Sequence, residues 1–204
     1  MKYNPIWELP TDGEVDAPIA LTFDDGPDPS ATGDVLDTLA RAGATATFFM
    51  VGAHAATHPD LVRRAVGEGH GIGVHSWAHD DLAGQPAAVT DEDIARTLEV
   101  LRSLGADPQL FRAPYDSWDD DLVEAARRAG LASVSASVGA EDWTSPGVDV
   151  IAARVAEGLY PGAIVGLHDG GGDRSQTAAA VSHIVADAHS RRFTFVDLLT
   201  QLTT

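Results

Sequence analysis

Short, mainly apolar runs recur along this chain at 19–23, 45–51, 72–74, 110–112, 131–138, 163–167 and 193–196. A strand buried on both faces has no polar side to alternate with, so runs of this kind predict strands of a covered, parallel sheet. Between the runs the apolar residues change period and fall on helical stripes. Val35, Leu36 and Leu39 form one stripe, closed by Gly43. Ile94, Leu98 and Leu101 form a second, with Thr90 as its expected N-cap and an end near Gly105. Leu122, Val123 and Ala126 run up to Gly130, and Val181, Ile184, Val185 and Ala188 make the last. Seven strands alternating with helices predict an α/β fold with a parallel sheet, either closed into a barrel or open and doubly wound.

Side chains able to do chemistry recur at one kind of place in this scheme. Asp24 and Asp25 follow the first run, His75 and His79 the third, Arg112 to Tyr115 the fourth, Asp142 and Trp143 the fifth, and His168 and Asp169 the sixth. These are C-terminal strand ends, which in a parallel barrel share one face where the loops converge. An open sheet would gather fewer of them in its crevice. The expected fold is therefore a distorted parallel (β/α) barrel of about seven strands.

With 204 residues and 44% apolar content, the chain suits one substantial core and is too short for two ordinary domains and a linker. We read residues 1–16 as an N-terminal extension and 17–204 as a single domain, expected to act as a monomer. The net charge is −18 and Lys2 is the only lysine, which argues against a nucleic-acid partner. Without cysteine there are no disulfides, and any metal must be held by histidine and carboxylate. No apolar run is long enough to span a membrane and none opens the chain, so it reads as unexported as written. A chain trimmed of a leader would read the same, and localisation is left open.

Two histidines four apart in HSWAH, joined by a carboxylate from elsewhere, make a three-ligand set whose open positions suit a catalytic zinc. The spacing alone carries little weight. His54, His58, His70, His183 and His189 lack a comparable setting and read as solvated or structural. Asp24 and Asp25, adjacent in TFDDGP where a strand meets a Gly-Pro turn, are costly to hold together unless a cation or a division of labour compensates. One should bind metal and the other remove a proton, whereas Asp28 and the run Asp119 to Asp121 read as ordinary turn residues. Arg112 in RAPY can pair with a carboxylate and orient it, and His168 in GLHD needs a partner, for which Asp142 is the candidate.

Taken together, TFDDGP, ATATFFMVG, GHGIGVHSWAH, RAPY, the DW pair at Asp142 and Trp143, and IVGLHD resemble the motifs of the polysaccharide deacetylase family, in that family's order. The similarity spans roughly residues 17–197. It implies a metal-dependent hydrolase that removes acetyl groups from N-acetylated sugars of chitin, chitooligosaccharides or peptidoglycan. It further implies Asp24 as general base, oriented by Arg112, with Asp25, His75 and His79 holding a divalent metal, usually zinc, with cobalt or nickel as alternatives. The Tyr115 N–H would help hold the oxyanion, His168 tuned by Asp142 would protonate the leaving amine, and Trp143 and Leu167 would line the pocket for the acetyl methyl.

Two positions depart from the family pattern: Asp116 stands where glycine usually follows the tyrosine, and Gly139 where an aspartate commonly precedes the DW pair. Neither is a ligand, the base or the acid. Rival readings are an acetylxylan esterase, a hydrolase of a small cyclic amide on the same fold, and a carbohydrate-binding domain without catalysis. The last would be expected to have lost a ligand or the base, and Asp24, Asp25, His75 and His79 are all present.

Overall fold

The computed structural model describes residues 4–11 and 17–202. The boundary expected at residue 16 lies in the segment 12–16, outside the described residues. The strands are β1 (Pro18–Asp24), β2 (Thr47–Met50), β3 (Gly71–Val74), β4 (Leu110–Phe111), β5 (Ala132–Ser133), β6 (Val138–Gly139), β7 (Ile164–His168) and β8 (Thr194–Phe195). The helices are α1 (Thr32–Ala42), α2 (Gly52–Thr57), α3 (Pro59–Gly67), α4 (Ala87–Ser103), α5 (Asp120–Arg128), α6 (Val148–Gly158), α7 (Ser175–Ser190) and α8 (Leu198–Leu202).

All strand pairs are parallel, in the order β5-β4-β3-β2-β1-β7-β6, with β8 added at the start of β1. The sheet curls into an incompletely closed barrel, because among the described residues β5 and β6 do not pair. Residues of the N-terminal segment lace this opening, with Ile6 bridging Val134 on one side and Glu8 bridging Ala163 on the other.

Strand parity decides which side chains reach the inside. On β1, Ile19, Leu21 and Phe23 face outward into the core shared with Val35, Leu36 and Leu39 of α1. The alternate residues Ala20, Thr22 and Asp24 therefore face the interior. On β7 the same rule puts Val165 and Leu167 in the outer core and Ile164 in the inner one. Asp24 and His168 are direct partners in the β1–β7 register, so both arrive at the rim at one level.

The structure differs from expectation in three local ways. The run 131–138 is not one strand but two short ones, β5 and β6, and at the end of β5 the Ser133 carbonyl and the Ser135 N–H pair with Ile6. Thr90 is not an N-cap: α4 begins just after Pro86, and the Thr90 hydroxyl bonds back to the Ala87 carbonyl inside the helix. Helices α2, α3 and α6 stand where no helical stripe was expected from the sequence. Among the described residues, no helix is long and apolar enough to cross a membrane.

Candidate active site

His75 leaves the end of β3 and His79 follows four residues later, but the intervening chain is a loop rather than a helix. Ser76 and His79 lie in the left-handed region at φ 60° and 61°. A helix N-terminus offers unpaired N–H groups, and those of Gly52 and Ala53 in α2 hold the carbonyls of Ser76 and Trp77. On the other side Asp93 of α4 accepts the Trp77 N–H at 2.8 Å, and the Arg96 guanidinium lies over the Trp77 ring. Burial pushes the Asp93 carboxyl up to about 6, with the Trp77 N–H and Arg96 working against the shift. The loop is thus pinned from two helices.

Asp25 meets these histidines from β1. Its Oδ1 lies 3.3 Å from His75 Nε2 and 3.0 Å from His79 Nε2, and one ligand atom from each residue lies within 4.8 Å of the others. The Nδ1–H of His75 is committed to the Arg112 carbonyl at 2.8 Å, which in the neutral ring turns the Nε2 lone pair toward Asp25. Asp25 Oδ1 is itself buried without a hydrogen-bond partner. Two imidazole nitrogens and a carboxylate oxygen gathered this closely, with Asp25 and His75 buried, fit a divalent cation of the zinc type. Burial opposes charge on Asp25, yet the close approach of the His75 and His79 rings, with His168 further off, outweighs it. They hold its carboxyl far below the ordinary range.

Asp24 is also nearly buried, and its Oδ1 accepts Arg112 Nη1–H at 2.8 Å. Arg112 is in turn fixed by Thr22 Oγ1, by the carbonyls of Val134 and Ser135, and by the Phe49 ring beneath it. A guanidinium spread over this many partners has no freedom to leave its carboxylate.

Across the cavity, Asp142 sits in a single 3₁₀ turn, Asp142–Thr144, and is buried. Its Oδ1 accepts His168 Nδ1–H at 2.9 Å, while Oδ2 accepts the His168 backbone N–H and the Thr177 hydroxyl. Burial lowers the His168 pKa, but the Asp142 hydrogen bond and charge, joined by Asp24 and Asp25, overcome it and leave the pKa raised. Trp143 meets the His168 ring edge-on at 5.3 Å and is half exposed.

One cavity of about 580 Å³ joins these groups, lined by Asp24, Asp25, His75, His79, Arg112, Tyr115, Trp143 and His168. Of the ten site residues singled out above, Asp142 stands just behind the wall, and Leu167 is placed differently. The two-residue period of β7 turns Leu167 into the outer core, fully buried, and Gly166 forms the wall beside His168 instead. Tyr115 has left-handed backbone at φ 59°, is exposed, and lays its ring edge against His79.

Several residues with no assigned part in the sequence reading support this site. His54, read there as solvated or structural, donates Nδ1–H to the Asp25 carbonyl at 2.7 Å. Asp169, fully buried, accepts the Thr32 hydroxyl on Oδ2 and has no partner on Oδ1. Burial, with the charges of Asp25 and Asp24, pushes its carboxyl up to about 7 against the Thr32 hydroxyl and the approach of the Gly26 N–H. Gly26 is required here because a Cβ would collide with the Asp169 carboxylate. The loop Gly170 to Gly172 presses on Asp25 and is tied by Arg174, whose guanidinium bonds the carbonyls of Gly170 and Gly171. The glycine run 170–172 was the one visible signal of that close approach.

The chain matches the polysaccharide deacetylase family over residues 12–134 and belongs to it. It is 42% identical over 188 residues to the chitooligosaccharide deacetylase of Bradyrhizobium sp. (strain ANU 289), covering 86% of each chain. It is 38% identical to the peptidoglycan-N-acetylglucosamine deacetylase of Bacillus cereus, covering 93% of this chain and 89% of that one. Among solved structures, a peptidoglycan N-acetylglucosamine deacetylase in complex with 4-naphthalen-1-yl-N-oxidanyl-benzamide superimposes with a TM-score of 0.93 at 31% identity, covering 100% of this chain and 94% of that chain. A family 4 carbohydrate esterase from Streptomyces lividans, in complex with acetate, gives a TM-score of 0.83 at 31% identity, covering 89% and 93%.

Proposed function

We propose that this chain hydrolyses the acetamido group of N-acetylated sugars, in chitooligosaccharides or peptidoglycan, with a divalent metal held by Asp25, His75 and His79. The observation that carries the reading is the convergence of a three-ligand set, an Arg-held carboxylate and an Asp-held imidazole on one cavity. The polysaccharide deacetylase family and relatives named for both substrates support it. Residues 17–204 carry the activity, 1–16 are an extension, and the chain acts as a monomer.

Zinc is the proposed ion, and when bound it supplies Lewis-acid chemistry, polarising the acetyl carbonyl and making water more acidic. Asp24, kept in place by Arg112, accepts the proton of the attacking water. The Tyr115 N–H faces the oxygen that gains charge as the carbonyl carbon becomes tetrahedral. An amine leaves poorly without a proton, and His168, held protonated by Asp142, donates it as the C–N bond breaks. Trp143 walls the side on which the acetyl methyl lies.

The test is acetate release from N-acetylglucosamine oligomers, peptidoglycan and acetylxylan in parallel. Release from either N-acetylated substrate above that from acetylxylan is expected. Activity confined to acetylxylan, or absent from all three with metal supplied, would contradict the proposal.

A further inference from the structure

Asp116 is the carboxylate on the cavity wall that no cation balances. Asp24 is paired with Arg112, and Asp25 belongs to the ligand set. Asp116 also lines the cavity and is exposed, yet among the described residues it forms no ion pair. Its orientation is set by two neutral donors, the Trp118 indole N–H at 2.6 Å and the Ser135 hydroxyl at 2.5 Å. Both act on Oδ1, and no such bond engages Oδ2 among the described residues. The seat itself is firm: Ser135 is buried and its carbonyl is held by Arg112, while Trp118 stacks edge-on against buried Phe111. The residue occupies left-handed backbone at φ 52°, where a residue with a Cβ is tolerated at some cost.

We propose that Asp116 binds the ammonium of a glucosamine unit next to the sugar being deacetylated, so that the preferred substrates are partly deacetylated oligomers. This rests on the reading of the cavity as a site for N-acetylated sugars. A fixed carboxylate with one free oxygen offers a charge-assisted hydrogen bond to an ammonium and only an ordinary one to a neutral hydroxyl or acetamide. The net charge of −18 adds long-range attraction for a cationic oligomer and none for a neutral one.

The test is calorimetric binding of a glucosamine tetramer and an N-acetylglucosamine tetramer at mildly acidic pH and low salt. It compares the wild-type chain with Asp116→Asn, which keeps the shape and the Oδ1 contacts, and Asp116→Gly, which suits the positive φ. The ratio of the two affinities should fall about three- to five-fold in both variants, the scale of an exposed charge pair, and the difference should shrink at high salt. Asp60→Asn, an exposed acid remote from the cavity, is the control for general charge. A ratio that stays put in both Asp116 variants, or that falls equally in Asp60→Asn, would overturn the proposal. Failure of the chain to release acetate from any sugar would instead overturn the reading of the active site, and the binding ratio would still decide the part played by Asp116.

Discussion

On the β1–β3 side of the cavity, Asp25 and His79 stand on backbone that side-chain-bearing residues adopt reluctantly, at φ 76° and 61°, with Ser76 between the two histidines at 60°. On the β7 side His168 is the last residue of a regular strand, and its character comes from hydrogen bonds to Asp142. Left-handed backbone of this kind costs on the order of 1–3 kcal/mol per residue and persists only where surrounding contacts over-determine it. Those contacts are present: His54 on the Asp25 carbonyl, Asp93 and α2 on the histidine loop, and the glycine loop under Asp25. The first side is therefore built for position and the second for proton affinity. Loss of a residue that holds the ion on the first side should show in metal content, and damage to the second should be graded and dependent on pH.

The largest break is His75→Ala, which removes one of the three proposed ligands along with its link to Arg112. Bound metal and acetate release should both fall to background, as read by elemental analysis of the purified variant. Asp24→Asn should separate the two quantities. The near-isosteric amide cannot accept the water's proton, so turnover should drop about 10²- to 10⁴-fold with metal content kept. Equal metal loss in Asp24→Asn and Asp25→Asn would mean the two roles are divided wrongly. Gly171→Ala probes position without touching a ligand, since a Cβ at φ +73° would lie 2.6 Å from Asp25 Oδ2. Metal affinity should weaken about ten-fold in a competition titration, and unchanged affinity would show that the loop does not hold Asp25.

Asp142→Asn is the smallest and the most specific to the other side. The carboxylate raises the His168 pKa against burial, so its removal leaves burial to lower it. The proton needed for amine departure should then be lost at lower pH, and the alkaline limb of kcat/KM should move down while the acidic limb stays. An alkaline limb that does not move in an active variant would remove the proposed pairing.

The two sides also differed in how far they could be read beforehand. Adjacent aspartates at the end of an apolar run, and two histidines after another, place ligands by local sequence, and β-strand parity brings Asp24 and His168 together in register. The same parity turns Leu167, next to His168, to the opposite face and into the outer core, so its expected place in the pocket came from the family resemblance and not from strand alternation. The break between β5 and β6 was not legible because Val134 and Ala136 keep the apolar pattern going among the serines, while the pairing with Ile6 belongs to a distant segment. His54, Asp93 and Asp169 act through contacts between separate segments, and no local pattern announces such contacts.

The central claim is that Asp25, His75 and His79 hold an ion on which deacetylation depends. Its most direct test is acetate release from an N-acetylglucosamine oligomer by chelator-stripped protein as zinc is titrated back. The account predicts that stripping abolishes release and that activity returns in step with the binding of a single ion per chain, saturating there. Stripped protein that still releases acetate at the original rate, or activity restored without stoichiometric binding, would contradict it.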